Sequence, residues 1–187
     1  DLQWKSFTPV LMGMSGWSGN ARKHPWWFDE PYRSVNRDYL KLKMRMTPYM
    51  YGLAHEAATT GAPLLRALMW DYPQDPQAYT EAYKYQFLLG RELLIAPVYR
   101  SQAASRGWRR DIHLPQGRWI DYWDGRQLQA GAAGRTLDRA VDLATIPVFV
   151  RAGAIIPMYP DMLYDGQKPL DEVTFDLYPQ GDAQYTL

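Results

Sequence analysis

The sequence divides at Ala82-Tyr-Lys-Tyr-Gln-Phe-Leu-Leu-Gly-Arg-Glu-Leu-Leu-Ile-Ala-Pro-Val98. Residues before this stretch have the pattern of a long helix and an αβ connection, whereas residues after it predict short strands separated by Gly and Pro. Inside the stretch, the run Leu93-Leu-Ile95 predicts a buried strand, which Pro97 limits because it lacks a backbone donor. In the first half of the stretch, apolar side chains recur at helical spacing at Tyr83, Phe87 and Leu88. This spacing predicts a helix that ends at Gly90.

The composition excludes several classes of protein. The 187 residues carry a net charge of +1, so no nucleic-acid partner and no anionic membrane partner is predicted. The sequence has no Cys, and its three His are far apart, so no metal site and no cofactor is predicted. No apolar run reaches the ~18 residues that a membrane helix needs.

One long helix is expected in the first third of the chain. Ser34 is placed to cap it, Pro48 to kink it and Gly61 to end it after about Thr60. Pro63-Leu-Leu-Arg-Ala-Leu-Met-Trp70 then predicts a strand. Lys43 is expected to point away from the apolar face of the helix, which is formed by Val35, Tyr39, Leu42, Met46, Tyr49, Met50, Leu53 and Ala57.

The second half predicts antiparallel strands. Trp119-Ile-Asp-Tyr-Trp123 alternates before Asp124-Gly125, a strong hairpin signal. Gln129–Arg135 is rich in small residues and is expected to be a loop. Further strands are predicted at Ile112–Leu114, Ile146–Val150, Ala154–Ile156 and Val173–Tyr178. The expected fold class is α/β followed by an all-β antiparallel sandwich.

The segment Gly13–Phe28 is the strongest candidate for a functional loop. Its three Gly and one Pro disfavour a regular element, yet it contains three Trp, one Phe and His24. Such a loop either folds over a core or is shaped around a ligand. The high aromatic content of the chain, 14%, leaves the same two alternatives open, namely a β-rich core or a surface for sugar rings.

Carboxylates are plentiful, but the sequence alone does not pair them. Glycoside hydrolysis needs two carboxyl groups that flank one bond, and each candidate here also suits a turn or a solvated loop. These candidates are Asp29, Glu30, Asp71, Asp75, Asp121 and Asp124.

Nine segments, taken in order, resemble glycoside hydrolase family 31, the α-glucosidase/α-xylosidase family. The series begins with Leu2-Gln-Trp-Lys-Ser-Phe-Thr-Pro9 and covers nearly the whole chain. The other eight are Pro25-Trp-Trp-Phe28, Tyr39–Tyr51, Gly61–Arg66, Asp71–Pro76, Tyr85–Gly90, Leu93–Val98, Leu114–Trp123 and Ile146–Pro157.

The resemblance implies an architecture and an activity. Residues 1–72 are expected to be the C-terminal part of a (β/α)₈ catalytic barrel, 73–97 a connecting segment and 98–187 a truncated β-sandwich domain. The implied enzyme is a retaining α-glycosidase that hydrolyses terminal α-glucosides in oligosaccharides. Its two catalytic aspartates lie in motifs N-terminal to this piece, so no catalytic residue is assigned here and the chain alone is expected to be inactive. The missing N-terminal part of the same protein is then a partner, together with the oligosaccharide substrate.

The resemblance also points to a wall of the sugar site. Many family members carry Arg-x-His shortly after F-x-P, whereas this sequence has Met12-Gly-Met14 there. The candidate substrate-binding residues are therefore Met14, Trp17 and His24, and the alternative is that Trp17 and His24 only pack the loop. An α-transglucosylase of the same family and a non-catalytic carbohydrate-binding or structural β-module are the rival functions. The compartment is not determined, although oligosaccharide substrates slightly favour an extracytoplasmic one.

Overall fold

The computed structural model describes residues 1–13, 24–169 and 171–185, and it is helical first and β-stranded afterwards. Two long helices follow a short one, and two more single turns occur later in the chain. They are α1 (Leu2–Lys5), α2 (Tyr32–Arg45), α3 (Thr47–Thr60), α4 (Leu68–Asp71) and α5 (Gln102–Ser105). Three 3₁₀ turns span Pro25–Trp27, Pro76–Tyr79 and Glu81–Tyr83. None of the described helices is long and apolar enough to cross a membrane.

Within the described residues, ten strands form three antiparallel sheets, which confirms the predicted fold class. Six strands make one sheet in the order β1-β2-β3-β8-β5-β6, while β4 pairs with β7 and β9 with β10. Their bounds are β1 Leu65–Arg66, β2 Phe87–Leu89, β3 Leu93–Ile95, β4 Trp108–Leu114, β5 Gly117–Asp121, β6 Gln127–Ala130, β7 Arg135–Ala140, β8 Val148–Arg151, β9 Ile155–Met158 and β10 Thr174–Leu177.

The six-stranded sheet has buried apolar side chains on both faces, since successive residues along a strand point to opposite faces. Leu93 and Ile95 of β3 pack with α2 and α3 in one core. Leu94, between them, lies in a second core on the opposite face, together with Ile112 of β4 and Trp119. Helices therefore cover one face, and the β4–β7 pair contributes to the cover of the other.

The predicted long helix is two helices. The break falls at Met46 (φ −77°, ψ 1°), and Pro48 lies in the first turn of α3, where its missing N–H has no helical partner to lose. The start also differs, because α2 begins at Tyr32 and Ser34 is not its cap. Instead, the N–H and hydroxyl of Ser34 donate to Glu30 Oε2 at 3.2 and 2.6 Å. The predicted end at Gly61 is confirmed by its left-handed backbone, with φ 79°.

The prediction of a helix that ends at Gly90 is wrong. Phe87–Leu89 is a strand that pairs with both β1 and β3, and Gly90 (φ 61°) makes the turn into β3. Leu88 and Leu89 are fully buried in the two cores on opposite faces of the sheet. Over so few residues, the spacing of apolar side chains is compatible with a helix and with a strand. The hydrogen-bonded pairing with β1 and β3 favours the strand.

Two further predictions are corrected in part. The expected loop Gln129–Arg135 is shorter than predicted, since β6 continues to Ala130 and β7 starts at Arg135, and residues 131–134 between them make the turn. The expected strand Pro63–Trp70 contains two strand residues before the chain coils into α4. The hairpin at Asp124-Gly125 is confirmed, because it joins the paired strands β5 and β6.

A buried guanidinium joins the helices to the edge of the sheet. Arg66 of β1 is 1% exposed, and it donates to Glu56 of α3 at 2.8 Å and to Asp71 of α4 at 3.3 Å. Arg91, which is 60% exposed at its side chain, lies 3.5 Å from the same Asp71 carboxylate. Because a charge buried without a counterion is costly, Arg66 holds these three elements in one arrangement.

Replacing this buried cation should destabilise the fold far more than replacing its exposed neighbour. We expect Arg66→Met to lower the free energy of unfolding by about 3 kcal/mol, since two carboxylates lose their buried partner. The matched control Arg91→Met should cost less than about 1 kcal/mol, because exposed ion pairs contribute little. Urea denaturation followed by tryptophan fluorescence measures both values. Equal losses would show that the buried cation is not the structural link.

Candidate functional site

A cleft of about 1100 Å³ lies beside α1 and the start of α2 in the described part of the chain. One wall is the segment that leaves α1, and the other is the aromatic turn that enters α2. Its lining includes Trp4, Thr8, Leu11, Met12, His24, Trp26, Phe28, Tyr32 and Asn36. Both walls flank the predicted functional loop, of which residues 14–23 are not described.

The first wall is anchored by a buried aromatic pair. Phe7 is fully buried, and its ring lies edge-on to Tyr39 of α2 with centroids 6.4 Å apart. Burial raises the pKa of Tyr39 to about 12, so its hydroxyl stays neutral and accepts the Ile146 N–H at 3.1 Å. The chain on either side of Phe7 is therefore held against α2 and the sheet.

Lys43 of α2 holds the backbone that runs from Phe7 into the cleft. Its ammonium donates to the Thr8 carbonyl and lies 3.4 Å from the Pro9 carbonyl oxygen. Partial burial lowers the pKa of Lys43. A partly desolvated ammonium that is bonded to carbonyl oxygens is a fixed clamp, because moving away would leave these polar groups unpaired.

The second wall is a cluster of aromatic rings. The imidazole of His24 stacks on Trp26, with centroids 4.8 Å apart and planes at 10°, and meets Trp27 edge-on at 4.6 Å. Asn36 Nδ2 of α2 donates to the Pro25 carbonyl at 3.2 Å and ties this turn to the helix. Trp26 is 62% exposed, so one indole face packs on His24 while much of the ring remains open to a flat apolar ligand.

The three predicted binding residues have different positions relative to this cleft. His24 lines it, and its ring packs against two tryptophans, which is the geometry that a purely packing role would also have. Met14 and Trp17 lie outside the described residues. Their part in binding stays a prediction.

The carboxylates that the sequence left unpaired mostly have structural partners. Glu30 accepts from Ser34, Asp71 pairs with Arg66, and Asp75 lies 2.6 Å from His113 Nε2. Asp121 and Asp124 both pair with Arg139, at 2.7 and 3.2 Å. None of these five, nor Asp29, lines the cleft.

The described lining of the cleft contains a single carboxylate, Asp1, which is bonded to Lys5. Glycoside hydrolysis uses two carboxyl groups on either side of one bond. Among residues 1–13, 24–169 and 171–185, no three His, Asp or Glu side chains cluster as a metal site would require. The described walls therefore offer binding surface and no acid–base pair.

Sequence reasoning missed Lys43 and Asn36, the two residues of α2 that hold the cleft walls. Lys43 was expected to point away from the apolar face, yet it also lies 3.4 Å from the sulfur of Met50, one of the residues of that face. Helical spacing could not reveal this contact, because Lys43 lies in α2 and Met50 in α3, on opposite sides of the break at Met46. Nothing in the sequence marks Asn36.

Two family models match the chain in consecutive order. The model of the glycosyl hydrolases family 31 TIM-barrel domain matches residues 2–53, and that of the glycosyl hydrolase family 31 C-terminal domain matches 61–156. Both matches confirm the resemblance found in the sequence.

Curated relatives with different activities match the whole chain about equally well. Alpha-glucosidase 2 from Bacillus thermoamyloliquefaciens is 33% identical over 188 residues, covering 100% of this chain and 22% of the relative. An isomaltosyltransferase from Sporosarcina globispora is also 33% identical, over 96% of this chain and 17% of its own length. The chain thus spans about a fifth of the length of these relatives.

Solved structures show the same fold over most of the chain. A GH31 alpha-xylosidase from Xanthomonas citri superposes with a TM-score of 0.85 at 27% identity, covering 98% of this chain and 19% of that protein. A mutant GH31 dextranase from Flavobacterium johnsoniae, complexed with isomaltotriose, has a TM-score of 0.78 at 38% identity, over 88% of this chain and 19% of its own.

The clamp formed by Lys43 can be tested by hydrogen exchange. Lys43→Met keeps the aliphatic stem and removes the charged donor, a loss of about 1.5–3 kcal/mol for such a bond. The amides of Phe7 and Thr8, which donate to Trp4 and Lys5 carbonyls, should then exchange at least about tenfold faster. Lys41→Met is the control, because Lys41 lies on the same helix and pairs with Asp161 at the surface. Unchanged exchange in Lys43→Met would contradict the clamp.

Proposed function

The chain belongs to glycoside hydrolase family 31, and we propose that it is the C-terminal part of a retaining α-glycosidase that hydrolyses terminal α-glucosides in oligosaccharides. The observation that carries the proposal is the succession of two family domains, barrel then C-terminal domain, within one chain. The similarity to an alpha-glucosidase over the full 187 residues supports the preference for glucosides.

In this proposal the cleft supplies binding surface, and the reacting groups come from the rest of the polypeptide. A retaining enzyme needs one carboxylate to attack the anomeric carbon and a second carboxyl group to protonate the leaving oxygen. The described lining of the cleft has Asp1 alone, already paired with Lys5. Both catalytic aspartates are therefore assigned to the upstream part of the protein, and this chain alone is inactive.

The wall of the sugar site is proposed to be the loop between the two described sides of the cleft. Met14, Trp17 and His24 are its candidate contacts, since loops at the ends of barrel strands build such sites. Residues 1–72 would belong to the barrel, 73–97 would connect, and 98–187 would brace the barrel as a β-sandwich domain.

Transglucosylation is the second candidate. The isomaltosyltransferase is as similar to this chain as the alpha-glucosidase is, at 33% identity. Both reactions share one chemistry and differ in whether water or a sugar accepts the glucosyl group. Analysis of the products formed from maltose or isomaltose separates them. A non-catalytic carbohydrate-binding or structural module, the remaining alternative, predicts that the chain binds glucans without turnover in any longer form.

The first test is hydrolysis of p-nitrophenyl α-glucoside by this chain beside the full-length protein. Turnover is expected in the full-length protein only, because the acid–base pair lies upstream of residue 1. Turnover by the 187-residue chain alone would overturn that assignment. The pair would then have to be sought among Asp29, Glu30, Asp71 and Asp75.

Kinetics of single variants of the full-length enzyme test the proposed sugar wall. His24→Ala and Trp17→Ala should each raise the Michaelis constant or lower turnover about tenfold, as the loss of one hydrogen bond or stacking contact does. His55→Ala, an exposed histidine of α3, is the control and should match the wild type. Unchanged kinetic constants in both loop variants would show that these residues only pack the loop.

A further inference from the structure

A second concavity lies in the β-domain, apart from the cleft described above. It has a volume of about 90 Å³ and is bounded by residues 98–100, by α5 and by the start of β4. Three arginines, Arg100, Arg109 and Arg110, take part in its lining, with Asp111 as the one acidic side chain. This volume holds a few water molecules or a small ion, and it is too small for a sugar ring.

Arg109 is a buried cation without a carboxylate partner among the described residues. It is 3% exposed, and its Nε and Nη2 donate to the carbonyls of Pro97 and Tyr85 at 2.9 and 3.4 Å. Its Nη1 donates to the carbonyl of Arg110. Burial lowers the pKa of Arg109. Buried charges in proteins are normally paired with an opposite charge, whereas this guanidinium makes no direct ion pair with a described carboxylate, and Asp111 and Asp138 act on it only at longer range.

The neighbouring charges leave the concavity positive. Arg110 pairs with Asp138 at 2.9 Å, and Arg100 makes no ion pair with any described residue. The ring of Tyr99 lies between two of the cations, 5.0 Å from the Arg109 guanidinium and 5.6 Å from that of Arg100. Counting the carboxylates of Asp111 and Asp138 against the three arginines leaves a net charge of +1 among these described residues.

From this juxtaposition we propose that the concavity binds a small oxyanion, a phosphate group. A guanidinium matches the oxygens of phosphate with two parallel N–H donors. Arg109 has five N–H donors, of which three have carbonyl partners, so it can offer the others to the ligand. Arg100 and Arg110 line the same concavity and are exposed, so their guanidinium groups are accessible to the anion. The phosphate is either the free ion or the ester group of a sugar phosphate.

Calorimetric titration of the full-length protein with inorganic phosphate tests this site. Saturable binding is expected, and sodium chloride at the same ionic strength should not produce it. Arg100→Gln and Arg110→Gln, both on the surface, should each weaken binding about tenfold or more, the loss of one charge-assisted bond. Arg126→Gln, an exposed arginine outside the concavity, should leave the affinity unchanged. A parallel titration with glucose 6-phosphate identifies the source, since binding of both probes assigns the site to esters and binding of phosphate alone assigns it to the free ion.

Two results would overturn the proposal. One is the absence of saturable binding, as expected if a carboxylate from the rest of the polypeptide occupies the concavity. The other is an equal loss of affinity in the Arg126→Gln control, which would show only general attraction to a basic surface. The readout is binding and not turnover, so this test is independent of the proposed glycosidase activity.

Discussion

The buried guanidinium of Arg66 is the interaction on which the arrangement of this chain depends. It lies on the edge strand of the six-stranded sheet and bonds to carboxylates of α3 and α4. Tyr49 of α3 adds a second link, with its hydroxyl 2.8 Å from the Leu89 carbonyl of β2. A hydrophobic core alone tolerates small shifts of helix against sheet, whereas a buried charge with two directional partners does not. The helical part and the β part therefore meet in one geometry.

Helix α2 relates the position of the cleft walls to that of the sheet. One side of this helix buries Tyr39 and Leu42 against the core that it shares with the sheet. Lys43 and Asn36 of the same helix hold the two walls of the cleft by bonds to backbone carbonyls. The walls are thus positioned by a helix that the sheet positions in turn. The position of the cleft walls therefore depends on the packing of α2 against the core that it shares with the sheet.

The parts of the fold that sequence could predict are those decided by local chemistry. Gly61 ends a helix because its left-handed backbone is strained for other residues, and Asp124-Gly125 makes a hairpin for the same reason. The strand Phe87–Leu89 could not be separated from a helix, because three residues satisfy both periods and pairing with distant strands decides. The break at Met46 was expected as a kink at Pro48, and proline is compatible with the first turn of a new helix.

The candidate site was less predictable than the fold, for a reason that lies in how barrel enzymes are built. Their sites are assembled from loops at the ends of many strands, so residues that act together are far apart in sequence. A chain that spans about a fifth of its relatives carries a share of those loops, and a search for paired carboxylates within it finds groups already engaged in ion pairs and caps. The order of the sequence segments, by contrast, is still present in one part of the protein, because each segment retains the residues that suit its own packing environment. That is why family membership follows from the order of segments in one part of the protein, whereas the residues of a site built from many loops do not.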